Sequence, residues 1–143
     1  MRTHSIVLGS IFVLLFNFVT TTVRAADQVA VDEATKAADR WLKLVDHGDY
    51  KQSWMTASTI FKNAVTEAQW ARQVGSVRKP LGALVSRKLK SAQYATSLPG
   101  APEGKYVVIQ YDSVFQNKSA AVETVTPMLD KDGQWRVSGY YIR

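Results

Sequence analysis

Cysteine is absent from all 143 residues of the sequence. No disulfide can therefore stabilise the fold, and thiol nucleophiles, thiolate metal ligands and the lipidated cysteine of a bacterial lipoprotein are excluded. Histidine is nearly absent too, since only His4 and His47 occur. No serine lies in a Gly-x-Ser-x-Gly elbow, and no glycine-rich loop leads into a helix as phosphate-binding loops do. These absences leave almost no support for nucleophilic catalysis.

A short apolar run at the N-terminus predicts a secretory signal. Arg2 precedes an apolar stretch from Ile6 to Val19, and the segment closes with Val-Arg-Ala, which has small or aliphatic residues at the two positions that a signal peptidase reads. The competing interpretation is an uncleaved membrane anchor, but the stretch is short for the ~20 residues of a spanning helix. We therefore predict a signal peptide at residues 1–25, cleaved after Ala25 or Ala26, and an exported protein, periplasmic or secreted.

Acidic residues are missing from the middle of the chain. Residues 68–102 contain six basic side chains and no acidic one, whereas residues 26–143 together contain 16 basic and 12 acidic side chains. This stretch is either an ordinary solvated face or a basic surface for anionic lipid headgroups, lipopolysaccharide phosphates or cell-wall polymers. Nucleic acid is not a predicted partner, because export removes the protein from it.

Three segments carry helix signals before any strand pattern begins. Apolar residues recur every three or four positions from residue 29 to residue 45. A second helix is predicted to begin after Asp49 and to end between residues 58 and 63. The third has the pattern of a capping box starting at Thr66, and Pro80 is expected to stop it.

The hydrophobic period then changes to two, which is typical of strands. Four strands are predicted, beginning near Val85, Lys105, Ala120 and Gln134. Along the last strand, Trp135, Val137 and Tyr141 are expected on the face toward the helices. Helices followed by strands with short turns predict one α+β domain at residues 26–143, with three helices packed on an antiparallel sheet of about four strands.

Three segments, in order behind a signal peptide, carry a family resemblance: "WLKLVDHGDYKQSW", "VRKPLGALVSRKL" and "DGQWRVSGYYI". With them the chain resembles domain-of-unknown-function family 4019, a set of exported bacterial proteins, over roughly residues 34–142. The closing strand is more distantly similar to the NTF2-like superfamily. That resemblance implies an NTF2-like or cystatin-like fold with a curved sheet, and it implies no catalytic residue, because function varies on this scaffold.

Arg87 is the main candidate site residue. It alternates with Val85 and Leu89, so a regular strand would carry its guanidinium onto the apolar face. A buried charge needs a partner, and Glu123 interrupts the apolar pattern of its own strand in the same way. We expect the two side chains to form a bidentate pair if their strands are neighbours.

Two interpretations of Arg87 remain open. In the first, the pair is structural, or the arginine extends to water. In the second, Arg87 lines a cavity with Arg78, Tyr111 and Glu123 and holds an anionic or carboxylate ligand. These four residues are the predicted ligand-binding set, and no catalytic residue is assigned.

His47 is the one remaining candidate metal ligand, because Asp46 and Asp49 lie beside it in the sequence. The spacing matches no standard metal site, and a histidine at the end of a helix is favoured by the helix dipole alone. We predict no metal and no cofactor.

The functional hypotheses follow from these candidates. The first is a non-catalytic module that binds an anionic small molecule, a lipid headgroup or an envelope partner near Arg87. The alternative is an enzyme with Asp112 or Glu123 as general base in an NTF2-like cavity, with Tyr106 or Tyr111 beside Asp112. The third is an interaction module that forms a homodimer through its sheet.

Overall fold

The computed structural model describes residues 18–143, with side chains from Ala25 onward. The predicted signal peptide lies largely outside these residues. Within them, four helices precede four strands, which confirms the α+β prediction; no helix among them is both long and apolar enough to span a membrane. The helices are α1 (Phe18–Asp46), α2 (Tyr50–Met55), α3 (Thr59–Ala64) and α4 (Glu67–Leu81). The strands are β1 (Leu84–Ala95), β2 (Tyr106–Phe115), β3 (Lys118–Leu129) and β4 (Trp135–Ile142).

One face of α1 supplies the helical half of the core. Ala34, Ala38 and Leu42 follow at steps of four, and Trp41 and Val45 lie beside them. All five side chains are buried; the apolar spacing predicted Ala34, Trp41 and Val45 on this face, and Ala38 and Leu42 widen it. The helix also extends well to the N-terminal side of this pattern.

The single helix predicted after Asp49 is divided into α2 and α3. Ser58 interrupts it and caps a new helix, because its Oγ accepts a hydrogen bond from the backbone N–H of Phe61 at 3.2 Å. The backbone N–H of Ser58 donates to the carbonyl of Val137 at 2.9 Å. The break therefore joins the helices to β4.

The third predicted helix, α4, begins where it was expected to begin but ends just beyond Pro80. Thr66 and Gln69 form the predicted capping box, in which each side chain accepts a bond from the other's backbone N–H. Pro80 was expected to stop the helix, but it lies inside the last turn, where it removes only one backbone donor. Gly82 ends the helix instead, with a positive φ of 73°.

The four strands form one antiparallel sheet in the order β1-β2-β3-β4. β2 is central to the core, as predicted: Val107, Ile109 and Tyr111 point toward the helices and are buried. Val125 of β3 is opposite Ile109 and is also buried. We call this helix-covered side the inner face and the opposite side the outer face. This layout fits the NTF2-like resemblance.

A bulge in β4 changes which tyrosine faces the core. Thr126 pairs with Gly139 but Pro127 pairs with Val137, so one extra residue lies between the two pairs. Because side chains alternate along a strand, one extra residue reverses the faces beyond it. Tyr140 therefore packs against the core, and the prediction that Tyr141 does so is wrong, since it is 56% exposed.

Arg87 lies on the inner face of β1, as predicted, but its apolar neighbours are not buried. Arg87 pairs with Ser113 and Leu89 with Tyr111, whereas Val85 lies at a bulge. Val85 and Leu89 are both exposed, because β1 is the edge of the sheet. The prediction of a regular apolar face on β1 is therefore wrong.

Candidate functional site

Five side chains from five different elements meet at one end of the inner face. They come from the end of α1, the last turn of α4, and strands β1, β3 and β4. We call them the ionic cluster: Asp46, Arg78, Arg87, Glu123 and Tyr140. Three of the four predicted site residues belong to it.

Arg87 is the hub of the ionic cluster. Its Nε and Nη2 donate to the two carboxylate oxygens of Glu123 at 2.7 and 3.1 Å. Its Nη1 and Nη2 donate to the two oxygens of Asp46 at 2.8 and 2.9 Å. The predicted bidentate pair with Glu123 is confirmed, although its premise was wrong: β2 separates the two strands, and the side chains meet across Ser113.

Glu123 is fully buried and has no free oxygen lone pair directed at solvent. Besides the two bonds from Arg87, Ser113 Oγ donates to its Oε1 at 2.5 Å and the Tyr140 hydroxyl to its Oε2 at 2.5 Å. These four hydrogen bonds occupy both carboxylate oxygens, so neither is free to accept a proton from a substrate. Glu123 is therefore poorly placed to act as a general base.

Arg78 is buried at the other end of the cluster. Its Nη2 donates to Asp46 at 2.9 Å, and its guanidinium carbon lies 4.8 Å from the centre of the Phe115 ring. Its Nη1 is 3.5 Å from the Tyr140 hydroxyl, a long hydrogen bond. Among the residues that the structure describes, Arg78 Nε is the only buried side-chain nitrogen or oxygen without a hydrogen-bond partner.

The pKa directions agree with an ionised cluster. Burial alone would raise the pKa of Asp46, but the bonds and charges of Arg87 and then Arg78 outweigh it and hold the pKa below its ordinary value of 3.8. Burial would lower the pKa of Arg87, but Asp46 and Glu123 raise it above the ordinary value. Burial and the nearby Glu123 charge raise the pKa of Tyr140, so its hydroxyl keeps its proton.

The charges of the cluster cancel. Two guanidinium groups face two carboxylates, and each carboxylate contacts at least one arginine. This balance supports the structural interpretation of Arg87, because its donors are already engaged by Asp46 and Glu123. A ligand would need to displace one of these carboxylates to bind Arg87 directly.

Tyr111, the fourth predicted site residue, lies next to the cluster and outside its hydrogen bonds. Its hydroxyl donates to Asp39 of α1 at 2.7 Å, and its ring centre is 6.0 Å from the guanidinium carbon of Arg87. Burial and Asp39 raise the pKa of Tyr111 above its ordinary value. The side chain is thus held on the inner face as a neutral donor.

A hollow of about 270 Å³ opens beside Arg78. We call it the Arg78 hollow. Its walls come from the end of α1 and from the turns that follow α1 and α4. It is lined by Val45, Asp46, His47, Gly48, Tyr50, Arg78, Lys79, Gly82 and Ala83. His47 is thus part of a surface hollow, where its Nδ1 contacts the carbonyl of Lys43 at 2.6 Å.

The candidates for acid–base chemistry do not come together. Asp112 lies on the outer face, with 60% of its side chain exposed, whereas Tyr111 points to the inner face. Tyr106 donates its hydroxyl to the carbonyl of Pro102 at 2.6 Å, near the other end of β2. The predicted pairing of Asp112 with either tyrosine is therefore wrong.

The geometry also bears on two further hypotheses, a basic surface and a metal site. Arg78 is 6% exposed, so it adds nothing to a basic surface with Arg72, Lys79, Lys88 and Lys90. For metal binding, no group of three histidine, aspartate or glutamate side chains in residues 18–143 is placed to hold an ion.

The sequence analysis missed two members of the ionic cluster. Asp46 follows Ala38 and Leu42 at the same four-residue step, so the helical spacing already predicts that it lies on the buried face of α1. Tyr140 was missed although Gly139 of β4 and Pro127 of β3, two residue types that mark strand bulges, lie at the bulge that turns it inward.

The structure is that of an α+β domain whose antiparallel sheet packs against a charge-balanced ionic cluster. The sequence model of the family described as "Protein of unknown function (DUF4019)" matches residues 37–140. The chain belongs to this family. No curated protein matches the chain.

Proposed function

We propose that this protein is a non-catalytic binding module that takes a small anion in the Arg78 hollow. The supporting observation is the Nε–H of Arg78, a buried donor without an acceptor, on a side chain that lines this hollow. A buried donor left without an acceptor costs about 1–3 kcal/mol, and an oxyanion or carboxylate that reached this group would recover that cost. An anionic ligand was also expected from the sequence. The site now proposed lies at Arg78, whereas the sequence suggested Arg87.

The charges around the hollow favour an anion. Lys79 is exposed at its wall, and Arg78 lies at its base. The one carboxylate in the lining, Asp46, already accepts bonds from both arginines of the cluster. No second carboxylate lines the hollow to oppose the charges of Lys79 and Arg78.

The size of the hollow restricts the ligand. About 270 Å³ is below the usual range for a drug-sized molecule and is adequate for a phosphate group or a short carboxylate. The shared chemistry is therefore an oxyanion, either free or as the headgroup of an envelope lipid. Free phosphate and vesicles that contain a phosphate headgroup separate these two sources in one assay.

The surroundings of Glu123 and Asp112 favour a binding role over the general-base alternative. Glu123 is saturated by hydrogen bonds, and Asp112 is solvated on the outer face. Glu123 therefore has no free oxygen for a substrate proton, and Asp112 lies beside Lys88 and Lys90 without a tyrosine partner.

The experiment is a calorimetric titration of residues 26–143 with inorganic phosphate, with a second arm using vesicles that carry a phosphomonoester headgroup. We expect saturable phosphate binding that Lys79→Ala weakens by about tenfold, because one ionic contact is lost. Arg72→Ala is the matched control: it removes an exposed charge from the same helix outside the hollow. Equal affinity in all three proteins, or no heat in either arm, would reject the proposal.

A second candidate is self-association through the edge of the sheet at β4. Val77 and Tyr141 are 47% and 56% exposed, and both line a groove of about 180 Å³ between α4 and β4. Apolar side chains beside an unpaired strand edge favour pairing with a second copy. Light scattering tests this: a dimer that Val77→Glu converts to monomer is expected, and a strict monomer at high concentration rejects it.

A further inference from the structure

The outer face of the sheet holds a second hollow, formed by one row of residues across three strands. Lys88 of β1 is opposite Asp112 of β2, which is opposite Val122 of β3. Val122 exchanges both backbone hydrogen bonds with Arg143, at 2.9 and 3.1 Å. Paired residues of an antiparallel sheet project to the same face, so this row places two basic side chains at opposite ends of one surface.

The floor between these basic residues is apolar. The hollow has a volume of about 420 Å³, the largest of those described here, and we call it the outer groove. Val114, Ala120 and Val122 form its floor, and Ser86 and Ser119 border it. The small side chains of β3 at this end leave the floor accessible. A concave apolar surface with a few polar groups at its margin is typical of small-molecule sites.

The charge at the margin is positive. Lys88 and Arg143 line the outer groove directly, and Lys90 reaches Asp112 with its Nζ at 3.7 Å from a carboxylate oxygen. Three basic side chains therefore surround one side-chain carboxylate, so positive side-chain charge predominates over an apolar floor. Neither Lys88 nor Arg143 forms a salt bridge among the residues that the structure describes.

From this juxtaposition we propose that the outer groove binds an amphipathic anion with a single alkyl chain, whose carboxylate contacts Arg143 at one end of the apolar floor. The alkyl part lies on the valine and alanine floor, where each buried methylene contributes about 0.8 kcal/mol. The guanidinium of Arg143 offers a carboxylate two parallel donors, and Lys88 adds positive charge at the opposite end of the floor.

This site is independent of the Arg78 hollow. The ionic cluster and Arg78 lie on the inner face, and the two hollows share no lining residue. The ligand requirements differ as well, because a bare oxyanion gains nothing from an apolar floor. Failure of one site therefore leaves the other untouched, and each has its own probe.

The test is an amide NMR titration of residues 26–143 with decanoate, kept below its micelle concentration. Two probes of the same design isolate the two requirements: decanol has the chain without the charge, and acetate has the charge without the chain. We expect saturable shifts at the amides of Val114, Ala120 and Val122 with decanoate, and shifts at least tenfold weaker in apparent affinity with the other two. Equal affinity for decanol or for acetate, or decanoate shifts elsewhere only, overturns the proposal.

Variants then assign the charge contacts. Arg143→Ala is expected to weaken decanoate binding by about tenfold, the effect of one lost ionic hydrogen bond. Lys88→Ala is expected to weaken it less, because Lys88 lies at the opposite end of the floor. Lys131→Ala removes an exposed charge at the far β3–β4 turn and serves as the control. Both groove residues are at the surface, so these variants should fold. Unchanged affinity in both groove variants contradicts the assignment, even if decanoate binds.

Discussion

Removing Arg87 tests whether the ionic cluster acts as one balanced unit. Arg87→Leu leaves Asp46 and Glu123 with only the charge of Arg78 between them, in a site where Glu123 is fully buried. Removing one partner of a buried ion pair costs about 3–5 kcal/mol, so we expect a loss of about 4 kcal/mol in the free energy of unfolding. Glu123→Leu should cost a similar amount, because it leaves two arginines facing one carboxylate.

The double variant distinguishes a coupled ionic cluster from independent contacts whose energies simply add. Arg87→Leu with Glu123→Leu restores the balance, since one arginine and one aspartate remain paired at 2.9 Å. The hydroxyls of Ser113 and Tyr140 lose their acceptor, which still costs about 1–3 kcal/mol for each buried group. We therefore expect the double variant to lose about 5 kcal/mol rather than about 8, a coupling near 3 kcal/mol.

Urea denaturation of residues 26–143 at neutral pH gives these free energies, provided that the slope with urea is the same in all variants. Lys90 and Asp112 provide a control cycle, since their side chains are exposed and 3.7 Å apart, and a coupling below ~1 kcal/mol is expected. If Arg87→Leu does not fold, Arg87→Lys keeps the charge without the fork and allows the same comparison. Additive losses at Arg87 and Glu123 would refute the reasoning.

Three further predictions concern other features of the fold. Tyr140→Phe should cost about 2 kcal/mol, because it removes a hydrogen bond to the buried Glu123 carboxylate, whereas Tyr141→Phe should change stability by less than ~0.5 kcal/mol; the reverse order in urea denaturation would place the β4 bulge elsewhere. Thr66→Ala should cost about 1 kcal/mol through the lost capping box, while the equally exposed Ser76→Ala should cost less. The folded-state pKa of Asp46 lies below its ordinary value of 3.8, so its contribution to stability is present above that pH and is lost as the pH falls through the folded-state value. Asp46→Asn should show a shallower loss of stability in this acid range, and identical acid profiles would contradict the assignment.

Much of the fold follows from the local sequence. The apolar spacing of α1 and the capping box at Thr66 each reflect a local rule and agree with the structure, and the period of two after Pro80 marks where the strands begin. The break between α2 and α3 was missed because an internal Ser58 cap competes with a helical spacing that continues through it. Local rules do not decide which of the two prevails.

The site was predictable only in part, for a different reason. The buried position of Arg87 follows from strand alternation, and the need for a carboxylate partner follows from the cost of burying a charge. Tyr140 depends on one extra residue in β4, and the second carboxylate, Asp46, comes from an element far away in the chain. Both depend on how distant segments of the chain are aligned in the folded protein, which local sequence patterns do not specify.

The account rests on the different environments of two arginine Nε–H groups. Arg87 Nε is bonded to Glu123 at 2.7 Å, whereas Arg78 Nε has no partner in the described residues. A ¹⁵N NMR titration of residues 26–143 with inorganic phosphate observes both groups directly. We predict that the Arg78 Nε–H resonance shifts saturably while that of Arg87 stays in place. A shift at Arg87 would contradict the closed cluster, and no shift at Arg78 would contradict anion binding beside it.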